Sequence, residues 1–307
     1  MELYDIIVVG AGPAGLVAAK EAAEANAHVL LIEKNEQFGK KACGEGVSKA
    51  TIAAAGLSPD HSFISNQISS AFVYPPDEKK RVEIRSKEPD GVQGYIIEKS
   101  VFLRTLAEKA ESKGVEIQTA TKVIDLSRDS GYVKVAVEKK GTVAEFRSKM
   151  VIGCDGLGSV VGKKFFKRRN VELIPCIQYK LDDCNLENEH ATEFYLGRVA
   201  PLGYAWVFPK KGGLANVGIG ARGVPVKVYL DKFIQAHPEK FGNSRILKVE
   251  AAPVPISGQV EEIVADNAMI CGDAAGQVIP FTGGGIHSSI AAGKIAGEVA
   301  AKAVEEK

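Results

Sequence analysis

The stretch Tyr4-Asp5-Ile6-Ile7-Val8-Val9-Gly10-Ala11-Gly12-Pro13-Ala14-Gly15 decides the fold. Its first half is an apolar run ended by glycine, the pattern of a strand buried on both faces of a parallel sheet. Its second half is a GxGxxG turn that feeds an alanine-rich, helix-favouring segment over 13–25. A second apolar run, Val29-Leu30-Leu31-Ile32, ends at Glu33 and completes one βαβ unit. In such a unit Gly10 permits the tight turn, Gly12 lets backbone approach a pyrophosphate, and Gly15 lets the helix pack closely on the sheet. Pro13 suits the first helical turn, where its missing N–H costs nothing. With Ala14, these residues turn free N–H groups and the positive end of the helix toward a diphosphate. Glu33, followed by Lys34, stands where a carboxylate accepts from ribose hydroxyls, and its charge would repel a 2′-phosphate.

A second element near the other end of the sequence specifies the dinucleotide. Met269-Ile270-Cys271-Gly272-Asp273 is a strand that ends in Gly-Asp, so Asp273 can accept from a polyol chain, which FAD has and NAD lacks. Gly283-Gly284-Gly285-Ile286 then opens the last helix, where backbone N–H groups can reach a ring carbonyl and the helix dipole favours an anionic reduced flavin. Ile152-Gly153-Cys154-Asp155-Gly156 repeats the strand-then-Asp-Gly pattern, and Asp155 and Gly156 are expected beside the same cofactor. A plain turn is the other reading of Asp155. FAD is therefore the expected cofactor. Gly218-x-Gly220-x-x-Gly223 matches the same fingerprint but lies within a strand over 214–221. It is followed by Pro225 without the helix and later acidic strand end of a second dinucleotide site, so it reads as a glycine-rich strand for packing.

Between these elements the texture changes. Strands are expected over 67–74 and 80–86, joined by Pro75-Pro76-Asp77, with a helix over 99–113 and a meander over 115–153. Short strands follow from about 170 to 255, with one amphipathic helix near 226–236, then a strand over 268–271 and a helix over 285–304. The dinucleotide domain starts, is interrupted by mainly antiparallel strands, and is completed at the C-terminal strand and helix.

Composition narrows the function. A chain of 307 residues exceeds the usual ~100–200 per domain, so two domains are expected. Lys+Arg number 39 against 38 Asp+Glu, which gives no global field toward nucleic acid. The five cysteines are scattered, without a CxxC pair or a His/Cys cluster of metal-ligand spacing, so neither a disulfide framework nor a metal is expected. Acidic Glu2 precedes the first strand where a signal peptide would be basic, and no apolar run approaches the ~20 residues of a membrane span. A cytoplasmic protein is expected, any membrane contact being peripheral, at the inner face.

Three stretches carry a resemblance: Lys40-Lys41-Ala42-Cys43-Gly44-Glu45-Gly46-Val47-Ser48, Pro201-Leu202-Gly203-Tyr204-Ala205-Trp206-Val207-Phe208-Pro209, and Gly272 to Gly285. The chain resembles flavoproteins of the p-hydroxybenzoate hydroxylase fold, and more narrowly the geranylgeranyl reductase family. The first stretch is similar to that family's Lys/Cys-Gly loop near the flavin, the second to its YxWxFP segment lining the lipid pocket, and the third to its flavin motif. The resemblance implies an α/β protein with a Rossmann-like FAD-binding domain over 1–66, 90–168 and 260–307. It implies an inserted, mainly antiparallel β substrate domain over 67–89 and 169–259.

By the same resemblance Cys43, Gly44 and Lys99 join the cofactor contacts, and Tyr204, Trp206, Phe208 and Pro280 line the substrate pocket. Alternation along one strand would put the three aromatics on one face, though sheet core is the other reading. Cys43 and Tyr204 are the expected catalytic residues. Nearby Lys40 and Lys41 favour Cys43 as proton donor or redox partner, a small packed hydrophobe and a local acid at Glu45 being the alternatives. Family members commonly carry Arg where Lys99 stands and Asp where Leu103 stands, and usually a C-terminal extension that this chain is expected to lack. The basic run Lys163-Lys164 and Lys167-Arg168-Arg169 reads as a solvated helix end, or as a landing site for anionic headgroups or an acidic electron carrier.

The implied activity is reduction of C=C bonds in prenyl chains of lipids or other isoprenoids, with hydride from reduced flavin and electrons from NAD(P)H or ferredoxin. A flavin-dependent monooxygenase or halogenase of the same fold is the alternative. Halogenases carry Trp where Tyr204 stands and Ile where Phe208 stands. A non-catalytic flavin electron-transfer protein is a third reading.

Overall fold

Strand Leu3–Val9, helix Pro13–Glu24 and strand Val29–Ile32 form the expected βαβ unit in the computed structural model, which describes residues 2–167 and 171–306. Leu3–Val9 pairs in parallel with Val29–Ile32 on one side and with the second half of Thr142–Gly153 on the other. Ile6, Ile7 and Val8 are fully buried, as a strand covered on both faces requires. Ala268–Ile270 extends the sheet in parallel beyond Thr142–Gly153, and Glu116–Gln118 extends it beyond Val29–Ile32. The expected meander therefore begins at Lys122–Asp129 and not at 115. Glu116–Gln118 follows helix Lys99–Glu111 and joins the sheet as a crossover strand, the connection that parallel pairing needs.

Helix Ile286–Glu305 packs on helix Pro13–Glu24 through two glycines one turn apart. A Cβ at Gly293 would overlap the Ala14 carbonyl oxygen, and one at Gly297 would overlap that of Ala18. Spacing of four puts both on one face of the helix, so the two backbones approach with nothing between them.

The chain divides into two units, Met1–Lys40, Ser100–Glu172 and Pro255–Lys307 forming one, Lys41–Lys99 and Leu173–Val254 the other. Residues 41–66 and 90–99, expected in the nucleotide domain, lie in the second unit. The reason is local pairing: Gly46–Ser48, Gly94–Ile97 and Ile64–Ile68 form a three-stranded antiparallel sheet there. Residues 171–172 and 255–259, expected in the substrate domain, fall in the first unit.

The second unit's larger sheet has seven strands, in the order Arg245–Pro255, Leu173–Asp182, Ala215–Gly220, Tyr204–Pro209, Ala191–Leu196, Ser70–Tyr74, Val82–Arg85. The single strand expected over 67–74 is two, Ile64–Ile68 and Ser70–Tyr74, which join different sheets. One face of the large sheet buries Tyr179, Tyr195, Ala205, Val207, Val217 and Ile219 under Leu230 and Phe233 of helix Val226–Ala236. That helix, expected near 226–236, starts directly after Pro225. Gly218 and Gly220 nevertheless lie inside a strand paired on both sides, so their N–H groups are spent on the ladder.

Among the described residues no helix is long and apolar enough to cross a membrane, and no group of His, Cys, Asp and Glu could hold a metal ion. Arg168 and Arg169 of the basic run lie outside the described residues.

Candidate functional site

In the first unit the glycine and acid elements meet at the carboxyl ends of Leu3–Val9, Thr142–Gly153 and Ala268–Ile270. Gly10 has φ +101°, and a Cβ there would overlap the Cys154 carbonyl oxygen. A Cβ at Gly15 would overlap the Gly10 carbonyl oxygen, so both glycines are demanded by the turn itself. Gly12 differs: a Cβ there would meet nothing within 4 Å. The fold does not require glycine at 12, whereas a diphosphate laid on the backbone would. Gly12 precedes Pro13 at the helix start and offers no side-chain cap, which leaves the first N–H groups for a ligand. These residues fit the dinucleotide end of FAD.

Glu33 is buried at the end of Val29–Ile32, and its carboxylate accepts from the Ala11 N–H at 2.8 Å and from the Asn35 side-chain amide at 2.6 Å. Asn35, not anticipated from sequence, thus orients the carboxylate. Lys34 is exposed.

The Asp155 carboxylate turns toward helix Val160–Phe165. It accepts from the Ser159 hydroxyl at 2.5 Å and the Val160 N–H at 2.6 Å. Burial nevertheless pushes its carboxyl above the usual range. It holds a helix start, the turn role that was the other reading, and Gly156 beside it has open space around it. Cys154 lies between the strand end at Gly153 and Asp155, and the neighbouring Cys271 together with burial holds its thiol well above its ordinary value.

Asp273 sits half-buried on the one-turn helix Gly272–Ala275. A Cβ at Gly272 would stand 3.4 Å from the Ala14 Cβ, which brings this motif against the first helix. Gln277 holds the loop that follows: its side-chain oxygen accepts from the Gly272 N–H at 2.7 Å, and its carbonyl accepts from the Ser288 hydroxyl at 2.5 Å. Gly283, Gly284 and Gly285 lead into Ile286 at the start of the last helix, again without a side-chain cap. Pro280 is exposed beside Phe281, which is 92% exposed.

In the second unit the sheet face opposite helix Val226–Ala236 is aromatic. Tyr204, Trp206 and Phe208 project on it in sequence, with ring centroids 5.8 and 6.4 Å apart, and Phe194 from the next strand packs on Tyr204 at 5.6 Å and Phe208 at 5.4 Å. The intervening Ala205 and Val207 are sheet core. The indole lies over Gly218, where a Cβ would stand 2.6 Å from Trp206 Cε2. The second GxGxxG match is thus the floor under Trp206. Burial, with the Cys176 and Cys43 sulfurs adding to it, pushes the Tyr204 phenol up to about 12.

The Cys43 loop is bonded to this face. Gln178 donates its amide to the Cys43 carbonyl at 2.9 Å, and Asn216 donates to the Gly44 carbonyl at 3.2 Å. The Glu45 N–H points at Cys43 Sγ, 3.3 Å away. A Cβ on Gly44 would press the Phe208 ring at 2.8 Å. Glu45, the alternative local acid, is engaged in the scaffold: its carboxylate accepts from the Lys99 N–H at 3.0 Å, Asn216 at 2.9 Å and Lys210 at 2.6 Å. The Lys99 ammonium donates to the Lys41 carbonyl. The expected point charge is therefore spent on the loop. Lys210, Asn216, Gln178 and Phe194 escaped the sequence reading, although a lysine abutting an apolar strand, as Lys210 does, was a usable signal.

Residues 5–163 match the family of FAD dependent oxidoreductases, and residues 172–254 match the geranylgeranyl reductase catalytic domain. The chain is 40% identical to the digeranylgeranylglycerophospholipid reductase of Methanothrix thermoacetophila, over 98% of this chain and 78% of the relative. It superposes on a geranylgeranyl bacteriochlorophyll reductase-like protein of Thermoplasma acidophilum with a TM-score of 0.93 at 34% identity, over 100% of this chain and 80% of the other. A p-nitrophenol 4-monooxygenase of Pseudomonas putida shares the fold alone, with a TM-score of 0.79 at 18% identity over 100% of this chain and 82% of the other. With an FAD-type glycine turn in one unit and the YxWxFP aromatic face in the other, the chain belongs to the geranylgeranyl reductase family of FAD-dependent oxidoreductases.

Proposed function

We propose that this protein saturates the isolated C=C bonds of geranylgeranyl-type chains on glycerophospholipids. The observation that carries the reading is the aromatic face of Phe194, Tyr204, Trp206 and Phe208, laid on a glycine floor and bonded to the Cys43 loop. Such a face binds an apolar chain and excludes water from it, since each ring removes apolar surface from solvent on contact.

Gly10, Gly12, Pro13, Ala14, Gly15 and Glu33 would hold the adenosine diphosphate part of FAD, and Asp273 with Gly283, Gly284, Gly285 and Ile286 the remainder. Bound FAD, once reduced, supplies the hydride for one carbon of the double bond. The other carbon needs a proton. Burial keeps the Tyr204 O–H on its ring, a reluctant acid at neutral pH. Proton delivery is therefore assigned to the Cys43 thiol, whose loop is fixed beside the aromatic face. The sulfur then regains its proton from solvent. Electrons reach the flavin from NAD(P)H or a ferredoxin, and the lipid arrives from a membrane surface that the protein meets peripherally.

The test is mass spectrometry of a geranylgeranyl glycerophospholipid after incubation with the FAD-loaded protein, with dithionite, NADPH or reduced ferredoxin in separate arms. Gains in steps of two hydrogens are expected with dithionite, and the other arms identify the donor. Unchanged lipid in every arm overturns the reading. Cys43→Ala is expected to lower kcat ~10²–10⁴-fold, whereas Tyr204→Phe, which keeps the ring and removes only the hydroxyl, keeps turnover within ~10-fold, since one lost hydrogen bond is worth about 0.5–1.5 kcal/mol.

A further inference from the structure

Lys210 has a fully buried side chain, the rarest environment for an ammonium. Its Nζ bridges two carboxylates, Glu45 Oε2 at 2.6 Å and Glu98 Oε1 at 2.6 Å. Glu98 is also met by Lys180 at 3.4 Å. Glu45 stands at φ +69°, a backbone conformation that costs energy in a non-glycine residue and persists only where its surroundings hold it. The surroundings are Lys210, the Asn216 amide and the Lys99 N–H on its carboxylate, with the Ile97 N–H on its carbonyl at 2.9 Å. Lys210 directly follows Pro209, the last residue of the aromatic strand.

We propose that Lys210 is a positioning residue for the reaction: through Glu45 it clamps the Cys43-Gly44-Glu45 turn, whose Gly44 abuts Phe208, and so fixes where the Cys43 thiol stands beside the aromatic strand. The inference rests on the assignment of Cys43 above. Lys210 does not itself touch the reacting atoms. A one-residue link from Lys210 to the turn means that loss of the ammonium frees a strained segment, and the thiol moves with it. Misplacement by about 1 Å costs on the order of 10²-fold in rate.

The experiment uses the FAD-loaded full chain and two readouts: the rate at which iodoacetamide alkylates Cys43 in the native protein, resolved by peptide mass spectrometry, and the kcat and KM for a geranylgeranyl lipid with dithionite. Lys210→Met is expected to change the Cys43 alkylation rate at least ~10-fold and to lower kcat ~10²-fold, with a smaller effect on KM. Should its unpaired buried carboxylates keep that variant from folding, Glu45→Gln combined with Lys210→Met removes one of those charges. The double variant shows the same alkylation and kcat changes as Glu45→Gln alone, since both break one link. Lys240→Met serves as the control. It removes another largely buried ion pair of the same unit, Lys240–Glu193 at 2.5 Å, and should lower stability without altering Cys43 alkylation or kcat. A folded Lys210→Met protein with wild-type alkylation and kcat overturns the proposal, as does an equal change in Lys240→Met. A wild-type protein inactive on the lipid would sink the assigned reaction, and alkylation alone would then decide the role of Lys210.

Discussion

Trp206 packs directly on Gly218: a Cβ at 218 would stand 2.6 Å from indole Cε2 and 2.7 Å from the Gln178 Cβ. A glycine inside a β-strand usually weakens it, and here it makes room for the chain's only tryptophan. Gly218→Ala therefore has to displace either the indole or Gln178, and through Gln178 the Cys43 carbonyl. We expect overpacking to cost about 1–3 kcal/mol, a shifted Trp206 emission and a several-fold higher KM for the lipid. Unchanged emission and melting temperature would show that the indole is not seated on the strand.

Gly12 and Gly15 belong to one motif and should fail in opposite ways. Gly12→Ala meets nothing in the protein, so its stability is expected to stay within about 0.5 kcal/mol of wild type, while FAD affinity falls at least ~10-fold because the methyl occupies the path of the diphosphate. Gly15→Ala drives a methyl into the Gly10 carbonyl and should unfold the first unit at lower temperature, with or without FAD. Melting curves of both variants at zero and excess FAD separate the two effects; equal losses in both would contradict the assignment of Gly12 to a ligand.

Gly293 and Gly297 fasten the last helix to the first. Gly293→Ala places a methyl on the Ala14 carbonyl, and with two backbones in contact neither has a side chain that can yield. A loss of about 2 kcal/mol is expected, measured by urea unfolding. Lys294→Ala, one residue on, should change little. Similar losses in the two would place the helix contact elsewhere.

Acid should weaken the pairing of Glu98 with Lys210 and Lys180. Burial raises the Glu98 carboxyl, but the Lys210 and Lys180 ammoniums outweigh it and hold the group below its ordinary 4.5. A carboxyl lowered on folding contributes stability that is fully present above the unfolded value and lost as pH falls through the folded one. Urea midpoints should therefore not change through Glu98 between pH 6 and 8 and should decline below about 4.5, and Glu98→Gln should flatten that decline. An identical acid limb in Glu98→Gln would remove this carboxylate from the account.

The strand-turn-helix at 4–25 was legible because its requirements are local: an apolar run, glycines where backbone must turn, and an acid where the next strand ends. The same holds for the alternation of Tyr204, Trp206 and Phe208, since a strand puts every second residue on one face whatever it packs against. Asp155 was half legible. Its Asp-Gly spacing identified a turn, but only the fold shows that the carboxylate is used by Ser159 and Val160. The division at 40/41 and 99/100 was not legible either, because three short strands at 46–48, 64–68 and 94–97 look alike in any sheet and are sorted by their partners.

By itself the sequence determined that this protein has a dinucleotide turn, a flavin-type C-terminal motif and an aromatic strand, all of them features of neighbouring residues and of backbone geometry. Only the tertiary structure decided that Gly218 floors Trp206, that Gly293 seats the last helix on Ala14, and that Glu45 is held by Lys210. Those relationships join residues 12 to 279 positions apart, where nothing in local spacing selects one partner from many and only close packing and the pairing of buried charge do so.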